Sequence, residues 1–554
     1  LSLGTMVRVP LHGRQVAGCV VGVDVDSPPG VRPRAVTKNA GAGPSGDVID
    51  LCRWAAWRWA GRLPTFLGAA SPPTMVGSLP RRAARAAPEV GAKVGPRVAS
   101  LFERPVALIR LPPAASPLEV VRAAAVRGNA LVIAPTFASV RSIADGMRRS
   151  GIVTAVHPDG WARAAAGCSI VGTRSAVFAS VAELGAIVVI DEHDEALQNE
   201  GSPTWHAREA AIERGRRAGV PVVMISPTPS LEALAHVSGD VATIDRARER
   251  AGWARLEIVD RREDDLARSG LYSLALVRAL QSERTVVCVL NRTGRAQMLG
   301  CLSCGTLATC ERCEAAVRQD EPARLLCPRC ATERPAICSN CAATSFRPIR
   351  IGVIKAREQL ETLLREPVDE ITGAKAVAVD GSRRARVAVG TEAALQRVGS
   401  ADVVAFLEFD QELGAPRYRA AEQAMTLLAR ASRVVGGRDG SVLVQTRQPD
   451  HEVLRAALIG DPSSVTAAER ERRVLLQLPP FVTVAVIGGT AAPAFVAALE
   501  PLLSEVPGAL LDQRDEGQWL VRASDRQALL DALNSVARPP GRLRLQVDPA
   551  RLPS

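Results

Sequence analysis

Cys301-Leu302-Ser303-Cys304, Cys310-Glu311-Arg312-Cys313, Cys327-Pro328-Arg329-Cys330 and Cys338-Ser339-Asn340-Cys341 are four C-x-x-C turns in one short stretch. They hold eight of the 12 cysteines of the chain. Such a turn sets two thiolates on one side of a tight bend. Two turns face to face make the four-sulfur tetrahedron that Zn2+ favours, with Zn–S near ~2.3 Å. The four turns therefore imply two structural Zn2+ ions per chain. Disulfides or unpaired reduced thiols fit the regular pairs less well, because no secretory segment precedes them. An iron–sulfur cluster suits four evenly formed knuckles less well than two closed zinc sites do. Spacing alone leaves three pairings of the turns open. The gap between Cys313 and Cys327 is long enough for a hairpin closing an inner site of Cys310, Cys313, Cys327 and Cys330. That leaves Cys301, Cys304, Cys338 and Cys341 for an outer site. This nested arrangement is the expectation, with both sites closed to water and without chemistry of their own.

The rest of the chain bounds the setting. Its 554 residues suffice for about three to five domains. A hydrophobic content of 47% with 23% charged residues is that of an ordinary soluble protein. No apolar run approaches the length of a membrane-spanning helix, so no membrane partner is expected. No export signal is visible, and the thiolate-rich stretch points to the cytoplasm. The chain begins with Leu1 and not Met, so further sequence is expected before it. A net charge of +11 favours an anionic partner. There are only four lysines, Lys38, Lys93, Lys355 and Lys375, and arginine suits phosphate through its two-pronged geometry. GC-rich coding, which also favours Ala, Gly and Pro, explains the arginines equally well, so charge alone does not decide the matter.

Outward from the cysteines, the apolar pattern changes in blocks. Residues 1–80 open with short strands at Met6–Val9 and Val20–Val25, a β-barrel fragment. A helix follows over 47–60, whose Trp54, Trp57 and Trp59 read as core. Residues 81–104 read as a linker rich in Arg, Ala and Pro. From 105 to 254, strands at Val106–Ile109, Ala130–Ile133, Ser169–Thr173, Ala186–Ile190 and Val220–Ile225 alternate with helices. That is the pattern of a parallel α/β sheet covered on both faces. A second such lobe spans 255–300 and 342–448, with strands at Thr285–Leu290, Ala376–Val379, Val387–Gly390, Val403–Leu407 and Val442–Gln445. The cysteine stretch, 301–341, is inserted in it. Residues 449–554 form a smaller mixed α/β domain.

Two tandem α/β lobes with a cysteine insertion in the second resemble a superfamily-2 helicase motor. The more specific resemblance is to the PriA family of primosomal replication-restart proteins, and it runs along nearly the whole chain. Gly172-Thr173-Arg174-Ser175-Ala176-Val177-Phe178 is similar to that family's G-T-R-S-A-[LV]-F. Asp191-Glu192-His193-Asp194 sits near its D-E-E-H-D, His206-Ala207-Arg208-Glu209 resembles its H-A-R-D, and Thr228-Pro229-Ser230-Leu231-Glu232 resembles the end of its G-S-A-T-P-S-L-E. Leu290-Asn291-Arg292-Thr293-Gly294, Tyr418-Arg419-Ala420-Ala421-Glu422, Gln477-Leu478-Pro479-Pro480-Phe481 and Val547-Asp548-Pro549 resemble further family segments. In the family the cysteine pairs nest, in agreement with the arrangement above. The resemblance implies a partial N-terminal domain that binds DNA 3′ ends, two helicase-like lobes, two zinc ions and a C-terminal domain. It implies binding of stalled or abandoned replication forks, and primosome assembly with reloading of the replicative helicase. The implied partners are branched or forked DNA, primosome proteins, the replicative helicase and its loader, and single-stranded DNA-binding protein. Arg8 and Arg14, beside the barrel fragment, are candidate DNA contacts, although a solvated face explains them as well.

The departures from the family pattern are as informative. A nucleotide-hydrolysing motor needs a glycine-rich loop ending in Lys-[Ser/Thr], whose backbone N–H groups and lysine cradle the phosphates. In that place stands Leu111-Pro112-Pro113-Ala114-Ala115-Ser116-Pro117-Leu118, with three prolines, no glycine and no lysine. Aligned without gaps from Gly172, the first acidic residue of the magnesium-holding pair falls on Ile190, and a one-residue slip restores Asp191. The family's Q-V-A-G-R-A-G-R is replaced by Arg430-Ala431-Ser432-Arg433-Val434-Val435-Gly436-Gly437, and its G-T-Q-M-L-A-K-G-H-D-F by Gly390-Thr391-Glu392-Ala393-Ala394-Leu395-Gln396-Arg397. A winged-helix domain is absent or reduced. These losses lead to the expectation of a helicase-shaped protein that is not an enzyme, with no catalytic or nucleotide-binding residues. An active 3′–5′ helicase with an atypical nucleotide site, and a zinc scaffold that binds only proteins, are the alternatives.

Overall fold

The structure is a computed structural model that describes residues 1–11, 13–26, 34–82, 94–264, 270–290, 299–313, 315–321, 323–348, 353–372, 385–514 and 517–553. The motif residues Asn291–Gly294, the strand expected at Ala376–Val379, and Lys93 and Lys375 lie outside the described residues. The chain divides into two compact units. One gathers Leu1–Arg110, Ser116–Ala242 and Gln477–Pro553, and the other gathers Leu111–Ala115 and Thr243–Leu476.

The first unit is built on a seven-stranded sheet. Its strand order is Ala242–Thr243, Val106–Arg110, Val222–Ser226, Leu184–Ile190, Asn129–Ile133, Ser169–Gly172, Thr154–Val156. From Val106–Arg110 onward every pairing is parallel. Strands covered on both faces read as nearly continuous apolar runs, and Asn129–Ile133 is buried at each position. Each Leu or Ile buried there contributes about 1.5–3 kcal/mol over leaving it in water. Helices Leu118–Arg127, Phe137–Arg149 and Ala207–Ala218 connect these strands. Thr136 caps the second of them in a reciprocal pair with Ser139.

Two smaller layers complete this unit. The strand expected at Val20–Val25 does not form. Arg14–Cys19 pairs with Met6–Leu11 instead, and Lys38–Gly41 lines the other edge. Gly13, at φ 75°, takes the left-handed conformation that turns the chain straight back after Leu11, so pairing begins before the apolar run. Val23 and Val25 are left exposed. The helix Gly46–Arg58 then buries its apolar face, with Trp59 only 2% exposed at its end and Trp54 packed edge-on against Trp59 at 5.3 Å. Trp59 is core, whereas Trp54 and Trp57 are half-buried and pack against that core. Near the other end of the chain, an antiparallel sheet in the order Leu510–Gln513, Gln518–Ala523, Thr483–Gly488, Arg544–Val547 shares that same core. Arg58 pairs with Asp548 at 2.8 Å, Asp548 also accepts from Val484 N, and Trp57 Nε1 donates to Asp531 at 2.7 Å.

The second unit carries a six-stranded sheet, parallel throughout, in the order Arg255–Asp260, Ser441–Thr446, Val403–Phe406, Val286–Val289, Val387–Gly390, Val368–Ile371. Gly390 closes its strand where only glycine fits, because a Cβ there would lie 1.9 Å from Ile371 O. The helix Ala420–Val434 covers one face, and helices Glu452–Ile459 and Ser463–Leu475 pack with it. These last two helices therefore belong to this unit, and the boundary falls between Leu476 and Gln477. Between Val286–Val289 and the helix Val353–Leu364 the cysteine stretch stands on a stem of Leu299–Cys301 paired with Phe346–Pro348. The architecture is thus two α/β lobes, consecutive in the chain, the second interrupted by a cysteine-rich insertion, with a small N-terminal β layer and a C-terminal α/β layer.

Candidate metal centres

The insertion brings the eight cysteines together as two tetrads, Cys301, Cys304, Cys338 and Cys341, and Cys310, Cys313, Cys327 and Cys330. This is the nested pairing. All four sulfurs of each group lie within 4.8 Å of one another. In the outer group Cys301 and Cys341 are 3.6 Å apart and Cys304 and Cys338 3.5 Å. In the inner group Cys313 lies 3.5 Å from both Cys327 and Cys330. A tetrahedron with ~2.3 Å metal–sulfur bonds has edges of ~3.8 Å, whereas a disulfide closes to ~2.05 Å, so the spacing fits four thiolates around one ion.

Local backbone chemistry explains the knuckles. The N–H of Gly305, Ala331 and Ala342 each returns to the carbonyl of its first cysteine, Cys301, Cys327 or Cys338, at 2.9–3.0 Å. All three sit at positive φ, 73°, 56° and 58°, which glycine adopts freely and alanine only at a cost. Electrostatics points the same way. Hydrogen bonds from Thr306 bring the Cys304 thiol down to about 6. Cys341 goes up to about 12: the Ala343 N–H favours its thiolate, but the neighbouring sulfurs and desolvation outweigh it. Four crowded sulfurs cannot all ionise without a cation among them. The donor set, all sulfur and tetrahedral, suits zinc and leaves no open position.

The motif residues of the first lobe form a closed polar network. Asp191 follows directly on the strand that ends at Ile190 and takes φ 50°. Glu192 is fully buried; its carboxylate accepts from Arg208 Nη1 at 3.0 Å, Ser230 N at 2.9 Å and Ser230 Oγ at 2.7 Å. Burial of a charge is tolerated there because each carboxylate oxygen has a donor. Desolvation raises the Glu209 carboxyl, yet His236, at 2.9 Å, with Arg208 and Arg58 holds it well below the usual range. His193 Nδ1 lies 2.8 Å from Ser226 Oγ, and Asp194 caps the turn Glu195–Leu197 through Ala196 N. In the second unit Tyr418 lies between the guanidiniums of Arg419 and Arg473, and Arg473 pairs with Glu422 and Glu469. The proline-rich segment Leu111–Ala115 groups with this unit. Ala114 N donates to Gly252 O at 3.2 Å, and Arg433 Nε donates to Pro113 O at 2.8 Å. Nothing in the sequence pattern pointed to Arg433 as the residue that holds this segment.

Arg8 and Arg14 are both exposed, but the hairpin does not bring them together. Arg8 opposes Ala17 and Arg14 opposes Leu11, and the alternation of side chains puts them on opposite faces.

No protein-family model matches the chain. Curated relatives do. The chain is 29% identical over 345 residues to the replication restart protein PriA of Bacillus subtilis, covering 57% of this chain and 43% of that one. It is 28% identical to the PriA of Haemophilus influenzae, with 59% and 48% covered. It is 30% identical to the probable PriA of Mycobacterium leprae, with 64% and 57% covered. The chain spans about half the length of the curated relatives it matches. Among solved structures, yeast Dbp5 bound to RNA and ADP BeF3 aligns with 12% identity over 71% of this chain, at a TM-score of 0.38. The proteins this chain is similar to along 57–64% of its length are the PriA replication restart proteins. One expectation is overturned by these relatives. They form a DNA helicase family, so the reading of this chain as a non-enzyme does not stand.

Proposed function

We propose that this chain acts in replication restart, binding stalled or abandoned forks and promoting primosome assembly and reloading of the replicative helicase. The similarity to PriA relatives across 57–64% of the chain carries this reading. The net charge of +11, supplied almost wholly by arginine, is consistent with it. The partners are forked DNA, primosome proteins, the replicative helicase with its loader and single-stranded DNA-binding protein, and the setting is the cytoplasm. No helix among the described residues is long and apolar enough to cross a membrane. Each cysteine tetrad holds one Zn2+, which supplies folding energy to the insertion. The loop Leu111–Leu118 offers neither lysine nor glycine, so ATP turnover by this chain has to take its phosphate contacts from other groups; a DNA-stimulated ATPase assay measures it.

The test is binding of purified protein to labelled forks, duplex and single strands across roughly 50 to 200 mM salt. Counterion release makes affinity fall steeply over that range when phosphates are contacted. Preference for forks with a steep salt response is the expected result. A flat salt response, or equal affinity for plain duplex, would overturn the fork-binding role.

A further inference from the structure

Beyond the carboxyl ends of two neighbouring strands of the second unit lies a cavity of about 550 Å³. The strands are Arg255–Asp260 and Ser441–Thr446, paired in parallel with Asp260 beside Thr446. In open α/β sheets this edge is where ligands settle, because the loops leaving the strands diverge there. Arg262 and Arg447, each just past its strand, line one side together with Gln448. Thr306 and Asn340, from the outer cysteine knuckles, and Thr309, just before the inner Cys310, line the other. The lining carries two guanidiniums, hydroxyls and amides, and no acidic side chain among the described residues.

Among the described residues, one group in it has no direct ion pair and another has no acceptor. Arg447 donates to two carbonyls, Asp264 O at 2.7 Å and Arg262 O at 3.4 Å, and makes no ion pair among the described residues. Burial, and next the charge of Arg261, weaken its hold on its proton despite the nearby Asp264 and Asp410 carboxylates, and an anion placed directly on the guanidinium would offset that. Gln448 Nε2 is buried without a hydrogen-bond partner among the described residues. Arg262 is different: it is 55% exposed and engaged by Asp260 and Asp450, so its charge is partly met already.

We propose that this cavity binds a phosphate of the DNA backbone, with Arg447 and Gln448 as its donors and the outer cysteine knuckle as its opposite wall. This rests on the reading of the chain as a fork-binding protein. Guanidinium suits a phosphodiester because two N–H groups meet two oxygens in one plane. One wall belongs to the outer tetrad, so the cavity sets the insertion beside the proposed phosphate contact.

The experiment uses the full chain and labelled forked DNA, with log affinity plotted against log salt for the unaltered protein, Arg447→Gln, Arg447→Lys and Gln448→Leu. Zinc content and thermal melting are read on each to keep folding separate. Arg447→Gln is expected to bind several-fold more weakly, with the salt slope reduced by about one. Arg447→Lys should keep the slope while losing some affinity, and Gln448→Leu should lose affinity with the slope unchanged. Unaltered protein that binds forks steeply, beside folded Arg447→Gln of equal affinity and slope, would overturn the cavity and leave the fork-binding role in place. Unaltered protein that binds no DNA would overturn both. Inorganic pyrophosphate bound through Arg447, with fork binding untouched by the substitution, would make the source a free anion and overturn the assignment to the DNA backbone.

Discussion

The inner and outer cysteine tetrads have the same donors and nearly the same sulfur spacing, but they are embedded differently. The inner one sits in its own apolar cluster, with Ala308, Ala315, Val317, Leu325 and Ala336 around it. It is also fastened to the lobe. Arg329 donates to Cys313 O at 3.0 Å, Ala415 O at 3.0 Å and Arg417 O at 2.6 Å, and Ala316 N donates to Gly414 O. The outer tetrad has Cys341 exposed and Cys304 half-buried, and it faces the Arg447 cavity. The difference teaches that one four-sulfur motif can serve as an internal rivet in one place and as the wall of an open cavity in another, according to what packs behind it.

The strongest break in that comparison is Cys327→Ser. Losing the inner metal removes folding energy on the order of 10 kcal/mol and should melt the insertion, seen as loss of hydrogen-exchange protection and at least one zinc fewer by elemental analysis. Cys341→Ser should be milder. The outer metal is lost, but the apolar cluster and the inner metal persist, so one zinc per chain remains and the meander Arg318–Glu321, Arg324–Leu326, Glu333–Pro335 keeps its protection. A loss of both metals in Cys341→Ser would show that the two sites fold as one. Arg329→Ala should cost about 2–3 kcal/mol, because three hydrogen bonds from a half-buried guanidinium vanish and the carbonyls it served are left to poorer partners. Chemical denaturation measures it, and zinc content should stay at two.

The smallest effect concerns the segment that receives the inner rivet. Burial, and next Asp410, push the Glu408 carboxyl up to about 7. A carboxyl raised on folding is bound by its proton more tightly in the native state. The stability it lends is full below its unfolded value, near ~4.3, and is lost as pH rises through about 7. Between pH 5 and 8 the chain should therefore lose about 1–2 kcal/mol that Glu408→Gln retains, allowing for partial solvent screening. Parallel pH profiles of the two proteins would refute the assignment.

Much of this was legible in the residues. The C-x-x-C spacing carried the tetrads because metal geometry acts over a few residues, and the strands Val106–Arg110, Leu184–Ile190 and Ser441–Thr446 were legible because burial on both faces leaves short apolar runs. What stayed hidden depends on partners far apart in the chain. The edge strands Arg255–Asp260 and Val368–Ile371 carry charges that interrupt any apolar run. Val20–Val25 looked like a strand until the turn at Gly13 assigned the pairing to Arg14–Cys19. Arg8 and Arg14 share a neighbourhood in sequence and opposite faces in space. The Arg447 cavity needs a strand end and a cysteine knuckle more than a hundred residues apart, which no local pattern announces.

The ion pair of Arg58 with Asp548 has a consequence for how the chain comes to be folded at all. Residues 490 positions apart share one hydrophobic core, so the helix Gly46–Arg58 waits, during synthesis, for the strand Arg544–Val547 to emerge before its packing is complete. The second unit draws almost entirely on one continuous stretch, Thr243–Leu476, and can close while the ribosome is still at work. Contacts of such long separation are slow to form and leave apolar surface open in the meantime. The nascent chain thus passes through a stage with a finished second unit and an unsealed first one, which is the stage at which a chaperone would find it.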